Sequence, residues 1–233
     1  MFRAALFDFD GVIVDSEPVH LKAFNMVLAA FDIEIPLQDY RSYYLGLTDY
    51  DCFDSATQRH GVTLDEIQLH KLIRQKCDIY AQMTGEVLPV THGIVDFLTM
   101  LKNSNVRIAI CSGATRRDVE YTLELGQLGR FFETIVTVED VKSGKPDPEG
   151  YLLALNRLNS ADTERVILPG DCVVIEDSQW GLRAAKSAGM LVVAITNSYP
   201  PEALAEADKI ISSFSDLAME DLHEICNHSG MAN

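Results

Sequence analysis

The hydrophobic pattern changes period along the chain. Ala4-Ala5-Leu6-Phe7 is a continuous apolar run, short enough for a strand buried on both faces, and it breaks into Asp8-Phe9-Asp10-Gly11. From Glu17 the period lengthens: Val19, Phe24, Val27, Leu28 and Phe31 recur at helical spacing. Ser16 stands at the N-cap position and Pro18 falls in the first turn, where a missing N–H costs nothing. Further helical segments are predicted over Asp49–Arg59 and Leu64–Met83, divided by His60-Gly61-Val62-Thr63. Beyond Val90 the pattern alternates. Strands are predicted at Val106–Cys111, Thr134–Val138, Cys172–Glu176, Leu191–Ile195 and Lys209–Ile211. Between them fall helices Ile94–Lys102, Arg116–Leu125, one ending at Leu158, Gln179–Ala188, and a proline-broken piece near Pro201–Ala207. Repeated strand–helix units predict an α/β fold: a doubly wound parallel sheet with right-handed crossovers. Residues 17–86 show no convincing strand and are expected to form an inserted all-helical cap. The expected core is 1–16 with 87–226, and 227–233 is a polar tail.

Composition narrows the function. At 233 residues and 47% hydrophobic, the chain has an ample core. A net charge of -16 argues against nucleic acid as a partner. It also means that an anionic ligand needs a locally positive site. Five scattered cysteines without a Cys-x-x-Cys pair fit reduced thiols. No run is long enough to span a membrane, and the N-terminus lacks the layout of a signal peptide. A cytoplasmic monomer is the expected state.

The chemistry gathers at strand ends. The first strand ends in Asp8-Phe9-Asp10 and the second in Ser112-Gly113, Lys145-Pro146 lies in the loop after the third, and the fourth runs into Glu176-Asp177. In a parallel sheet these ends share one edge, where ligands bind. Each also has a plainer reading. Ser112 is equally a helix N-cap, Lys145 a solvated loop lysine, and Asp177-Ser178 a cap at the positive end of a helix.

Taken together and in order, these motifs resemble the haloacid dehalogenase superfamily of phosphotransferases. The stretches Phe7-Asp8-Phe9-Asp10-Gly11-Val12-Ile13-Val14-Asp15-Ser16, Gly144-Lys145-Pro146-Asp147-Pro148 and Ile175-Glu176-Asp177-Ser178-Gln179-Trp180-Gly181 are similar to its β-phosphoglucomutase-like branch. The resemblance implies a Mg²⁺-dependent enzyme acting on a small phosphorylated metabolite such as a sugar phosphate. In it Asp8 attacks phosphorus and carries the phosphoryl group as an aspartyl phosphate, while Asp10 serves as general acid and then base. The metal is held by the Asp8 carboxylate, the Asp10 main-chain carbonyl and the Glu176-Asp177 pair. Ser112 and the N–H groups after it, Gly113 among them, hold phosphate oxygens, and Lys145 balances charge.

The resemblance also points to the helical insertion. His20 and Lys76 match a cap histidine and lysine that face the site. Tyr44-Leu45-Gly46-Leu47-Thr48-Asp49 takes the place of a substrate-specificity loop. Where the mutase pattern has an arginine for a second phosphate, this chain has Asp49, which would repel one. Arg116 is a candidate to compensate. Phosphatase is therefore the leading reading and hexose-phosphate mutase the runner-up. A haloalkanoate dehalogenase has no use for the metal carboxylates. A phospho-accepting signalling or partner-binding protein is the alternative from another class, and the helical insertion counts against it.

Overall fold

The computed structural model describes the chain except residues 46, 48, 87–89, 162–165 and 229–233. It divides into two compact units, 1–15 with 90–233 and 16–89. In the first, six parallel strands are ordered β3-β2-β1-β4-β5-β6. They are β1 Ala4–Phe7, β2 Arg107–Cys111, β3 Thr134–Val136, β4 Cys172–Glu176, β5 Leu191–Ile195 and β6 Lys209–Ile211. Every pairing is parallel, so all the carboxyl ends fall on one edge.

The apolar runs are continuous because both faces of the sheet are covered. Ala5, Phe7, Ile108, Ile110, Val173 and Ile175 enter one core cluster. Their neighbours Ala4, Leu6, Ala109, Cys111, Cys172 and Val174 enter another, with Tyr151 and Leu155. The helices of this unit are α5 Ile94–Asn103, α6 Arg116–Leu125, α7 Glu149–Ala161, α8 Gln179–Ser187 and α9 Met219–His228. None of the cysteines is bonded to another.

The second unit, described by itself, is helical. It holds α1 Glu17–Leu28, a short α2 Leu37–Asp39 running into a π-helical segment Tyr40–Tyr44, α3 Asp49–Arg59 and α4 Glu66–Glu86. Phe24, Leu28, Tyr40, Phe53, Ala56 and Leu69 form its buried centre.

Differences from the sequence reading are local and have physical causes. Helix α4 starts at Glu66 and not Leu64, because Asp65 and Gln68 cap each other: each side-chain oxygen accepts from the other's backbone N–H, at 2.8 and 2.9 Å. Strand β3 stops at Val136, where Thr137 and Asp140 form a capping box for a 3₁₀ turn. Ser16 holds the N-cap position of α1 but makes no side-chain capping bond. Helix α9 was not anticipated, and Asn227 and His228, expected in the tail, belong to it. Among the described residues no helix is long and apolar enough to cross a membrane.

Candidate active site

Strand register builds the site. Phe7 pairs with Ile110 on one side and with Ile175 on the other. The next residues, Asp8, Cys111 and Glu176, are therefore level across the sheet, and alternation sends them to the face that Tyr151 packs against. Asp8 N–H donates to the Ile175 carbonyl at 3.0 Å, fixing the nucleophile candidate to the neighbouring strand. The strand ends at Phe7, so alternation does not reach Asp10. Asp8 is buried at 9% exposure, whereas Asp10 is exposed.

Lys145 Nζ donates to Asp8 Oδ1 at 2.5 Å and to Glu176 Oε1 at 2.6 Å. The Tyr151 hydroxyl donates to the same Glu176 oxygen at 2.9 Å. The other Glu176 oxygen accepts from Asp177 N–H at 2.9 Å, Ser178 N–H at 3.1 Å and Ser178 Oγ at 3.0 Å. Glu176 is fully buried and fully engaged, which makes it a support that orients Lys145 and the turn beyond β4. Two glycines leave room for these carboxylates. A Cβ on Gly181 would lie 1.6 Å from Glu176 Oε1, and one on Gly11 would lie 1.8 Å from Asp177 Oδ2. Gly11 also has φ +77°, a conformation L side chains rarely adopt.

Asp8, Glu176 and Asp177 each place a carboxylate oxygen within 4.8 Å of the others. One lysine faces three buried carboxylates, so charge is left uncompensated. Burial raises Asp8 to about 7; Lys145 opposes that shift and Glu176 adds to it. Burial, then Asp8 and Glu176, push Asp177 well above the usual carboxylate range. Burial would also raise Glu176, but Lys145 together with the hydrogen bonds from Ser178 and Tyr151 holds that carboxyl low. Burial would likewise lower Lys145, and the two carboxylates keep it charged. An all-oxygen, buried, excess-negative cluster is what a hard divalent cation fits.

Ser112 is buried, receives the Ala114 N–H on its Oγ at 2.9 Å, and donates its own N–H to Val136. It is not the N-cap of α6; Thr115 is, accepting from Asp118 N–H. The capping role open to Ser112 on sequence alone thus belongs to another residue. Gly113 is exposed at the same strand end, with open space where a Cβ would be.

Arg116 is not brought to the carboxylates. Its guanidinium donates to Asp140 at 2.7 Å, to Glu120 at 3.2 Å and to the Ile135 carbonyl at 3.2 Å. Asp140 also accepts from Arg157 and from Thr137, and its carboxyl is held well below the usual range, with these hydrogen bonds overcoming burial. Arg116 thereby ties α6 to the turn after β3, and the candidate for compensating at Asp49 has its guanidinium engaged there.

In the helical unit His20, Asp49 and Lys76 meet. Lys76 Nζ lies 2.8 Å from His20 Nδ1 and donates to both Asp49 oxygens, at 2.8 and 3.0 Å. Lys76 is 3% exposed and sits 4.8 Å over the Phe24 ring, while His20 stacks on Tyr80 at 4.2 Å. Burial, reinforced by Lys76 and partly offset by Asp49, lowers His20 to about 4. A neutral His20 accepting at Nδ1 carries its proton on Nε2. The Asp49 charge is already matched by Lys76, which removes the simple repulsion argument against a second phosphate. Gly46 lies outside the described residues.

Sequence reasoning missed Tyr151, Asn197 and Ser198. The last two follow β5 at the same carboxyl edge, and extending the strand-end argument to the fifth strand would have found them.

Such a sheet, with a lysine-bridged carboxylate cluster at its carboxyl edge, is an α/β fold that carries its candidate site where parallel sheets bind ligands. The sequence matches the haloacid dehalogenase-like hydrolase family over residues 5–195, and the chain belongs to that family. It is 30% identical to β-phosphoglucomutase of Bacillus subtilis (strain 168), covering 95% of this chain and 94% of that one. It is 29% identical to validoxylamine A 7'-phosphate phosphatase of Streptomyces hygroscopicus subsp. limoneus, covering 93% and 96%. Among solved structures it is similar to CbbY from Rhodobacter sphaeroides in complex with xylulose-(1,5)bisphosphate, with a TM-score of 0.72, 26% identity, and 95% and 99% of the two chains covered.

Proposed function

We propose that this enzyme is a Mg²⁺-dependent phosphatase of a small phosphorylated metabolite, most naturally a sugar phosphate, working through an aspartyl phosphate on Asp8. The observation that carries it is the Lys145–Asp8 contact at 2.5 Å inside a buried carboxylate cluster. Related proteins named for phosphorylated carbohydrates support the substrate class.

Lys145 orients Asp8 and keeps a positive charge where phosphate oxygens arrive. The Asp8 oxygen not held by Lys145 attacks phosphorus, and the leaving oxygen takes a proton from Asp10. Asp10 then removes a proton from the incoming water, and phosphate leaves Asp8. Ser112 and the N–H groups after β2 hold the phosphate oxygens. Asp8 and Asp177, with Glu176 behind them, would hold Mg²⁺ together with the Asp10 carbonyl. When bound, the ion neutralises phosphate and carboxylate charge.

Incubation with p-nitrophenyl phosphate, with and without Mg²⁺, tests the reading. Phosphate release that requires Mg²⁺ is expected; folded protein with no release under either condition would refute it. A second reading, hexose-phosphate mutase, is favoured by the Asp49–Lys76 pairing, which leaves no bare negative charge at Asp49. Incubation with β-glucose 1-phosphate and a bisphosphate primer separates the two. Glucose 6-phosphate accumulating without free phosphate would establish the mutase.

Asp10→Asn tests the acid role. Loss of a general acid costs ~10²–10⁴ in rate, and most for poor leaving groups. An alkyl phosphate is therefore expected to suffer far more than p-nitrophenyl phosphate. Equal losses on the two substrates would remove Asp10 from that role.

Asp49→Asn is expected to destabilise the helical unit by about 1–3 kcal/mol, since it leaves the Lys76 ammonium buried without its counter-charge. Urea unfolding measures this, and an unchanged midpoint would show that the pair contributes nothing net.

A further inference from the structure

The loop that follows β5 reaches back to two parts of the site at once. Ser198, 8% exposed, donates its hydroxyl to Asp177 Oδ2. Its neighbour Asn197 donates from Nδ2 to the Gly11 carbonyl at 2.7 Å. On the other side of the same turn, Gly11 N–H donates to the Val14 carbonyl at 2.7 Å. The peptide joining Asp10 to Gly11 is planar and trans, so fixing its N–H sends the Asp10 carbonyl the opposite way. The turn is thus pinned on both sides, at Gly11 N–H by Val14 and at Gly11 C=O by Asn197.

The Ser198 hydroxyl meets Asp177 where space is tight. A Cβ on Gly11 would sit 1.8 Å from Asp177 Oδ2 and 2.7 Å from Ser198 Oγ. Asp177 Oδ2 is therefore enclosed by the glycine turn and the serine hydroxyl, which fixes the rotation of the carboxylate and leaves Oδ1 as its other acceptor. No group on α8 makes this contact; the α8 cap, Ser178, is engaged with Gly181 N–H and Glu176.

We propose that Ser198 and Asn197 are positioning residues for the metal seat, Ser198 acting through Asp177 and Asn197 through the Asp10–Gly11 turn. The inference rests on reading Asp8, Asp177 and the Asp10 carbonyl as the metal's ligands. A partner behind a metal ligand characteristically sets ligand orientation, and its loss lowers metal affinity ~10- to 100-fold.

The experiment measures Mg²⁺ binding directly, by isothermal titration calorimetry on metal-stripped protein. It compares the parent with Ser198→Thr, Ser198→Val and Asn197→Ala. Thr and Val have nearly the same shape, so the pair isolates the hydroxyl from packing. Circular dichroism and melting temperature in EDTA confirm that each variant is folded. Ser198→Val is expected to bind Mg²⁺ about tenfold more weakly or worse, with Ser198→Thr close to the parent. Asn197→Ala is expected to fall in the same direction as Ser198→Val. Parent-like affinity in folded Ser198→Val, or equal losses in Thr and Val, would overturn the role given to the hydroxyl. Parent-like affinity in Asn197→Ala would overturn the role given to the turn. A parent that binds no Mg²⁺ would instead overturn the metal reading on which the inference rests.

Discussion

Asp8→Asn is expected to lower phosphate release by ~10⁴ or more while leaving the chain folded. Removing the nucleophile of a covalent mechanism characteristically costs that much, because the other catalytic groups depend on it. An amide cannot accept the phosphoryl group, and it also loses the charge that Lys145 Nζ now contacts at 2.5 Å. The fold is expected to survive, since Lys145 keeps Glu176 as a partner at 2.6 Å and one of three crowded carboxylates has been neutralised. Initial rates on an aryl phosphate, with circular dichroism on the same samples, check both halves. A folded Asp8→Asn protein that turns over at a substantial fraction of the parent rate would eliminate the aspartyl phosphate.

Mg²⁺ is expected to raise the melting temperature more near pH 8 than near pH 5.5, because protons and metal compete for the same oxygens. Asp8 lies at about 7 in the folded protein against an ordinary 3.8, and Asp177 is shifted in the same direction. Across that window the folded chain holds a proton that the unfolded chain has released. Without metal, Asp8 therefore costs stability progressively as pH rises from about 4 to about 7, and Asp177 adds a cost of the same sign. A bound cation stabilises the ionised carboxylates and removes the cost, adding RT ln(1 + [Mg²⁺]/Kd) with a Kd that improves as pH climbs through the same range. Thermal denaturation with Mg²⁺ or EDTA at the two pH values reads this directly. An equal Mg²⁺ shift at both would mean that these carboxylates are not what the ion binds.

The roles of the two halves of the sequence differ in how they become visible. Apolar runs such as Ala4–Phe7 and Cys172–Ile175 carry their strand identity locally, because a parallel strand covered on both faces is apolar along its buried length. Strand–helix alternation then fixes a parallel sheet, and with it a common edge for Asp8, Ser112 and Glu176. For that reason the main site candidates were legible from residues far apart in the chain.

Register and partner choice were not legible. That Asp8 sits level with Glu176 depends on Phe7 pairing with Ile175, a relation no local pattern encodes. Arg116 and Ser112 show the consequence. Both stand beside the right strand end, yet Arg116 is captured by Asp140 across the turn after β3, while Ser112 gives up helix capping to Thr115. Asp49 makes the same point in the helical unit: its charge is plain in the sequence, but its neutralisation by Lys76, 27 residues away, is a product of packing α3 against α4. Sequence by itself determined the sheet, its chemical edge and the residue types there, since these follow from hydrophobic period and chain order. Only the tertiary structure decided which charges meet, because ion pairs and hydrogen bonds form between side chains that folding alone brings within reach.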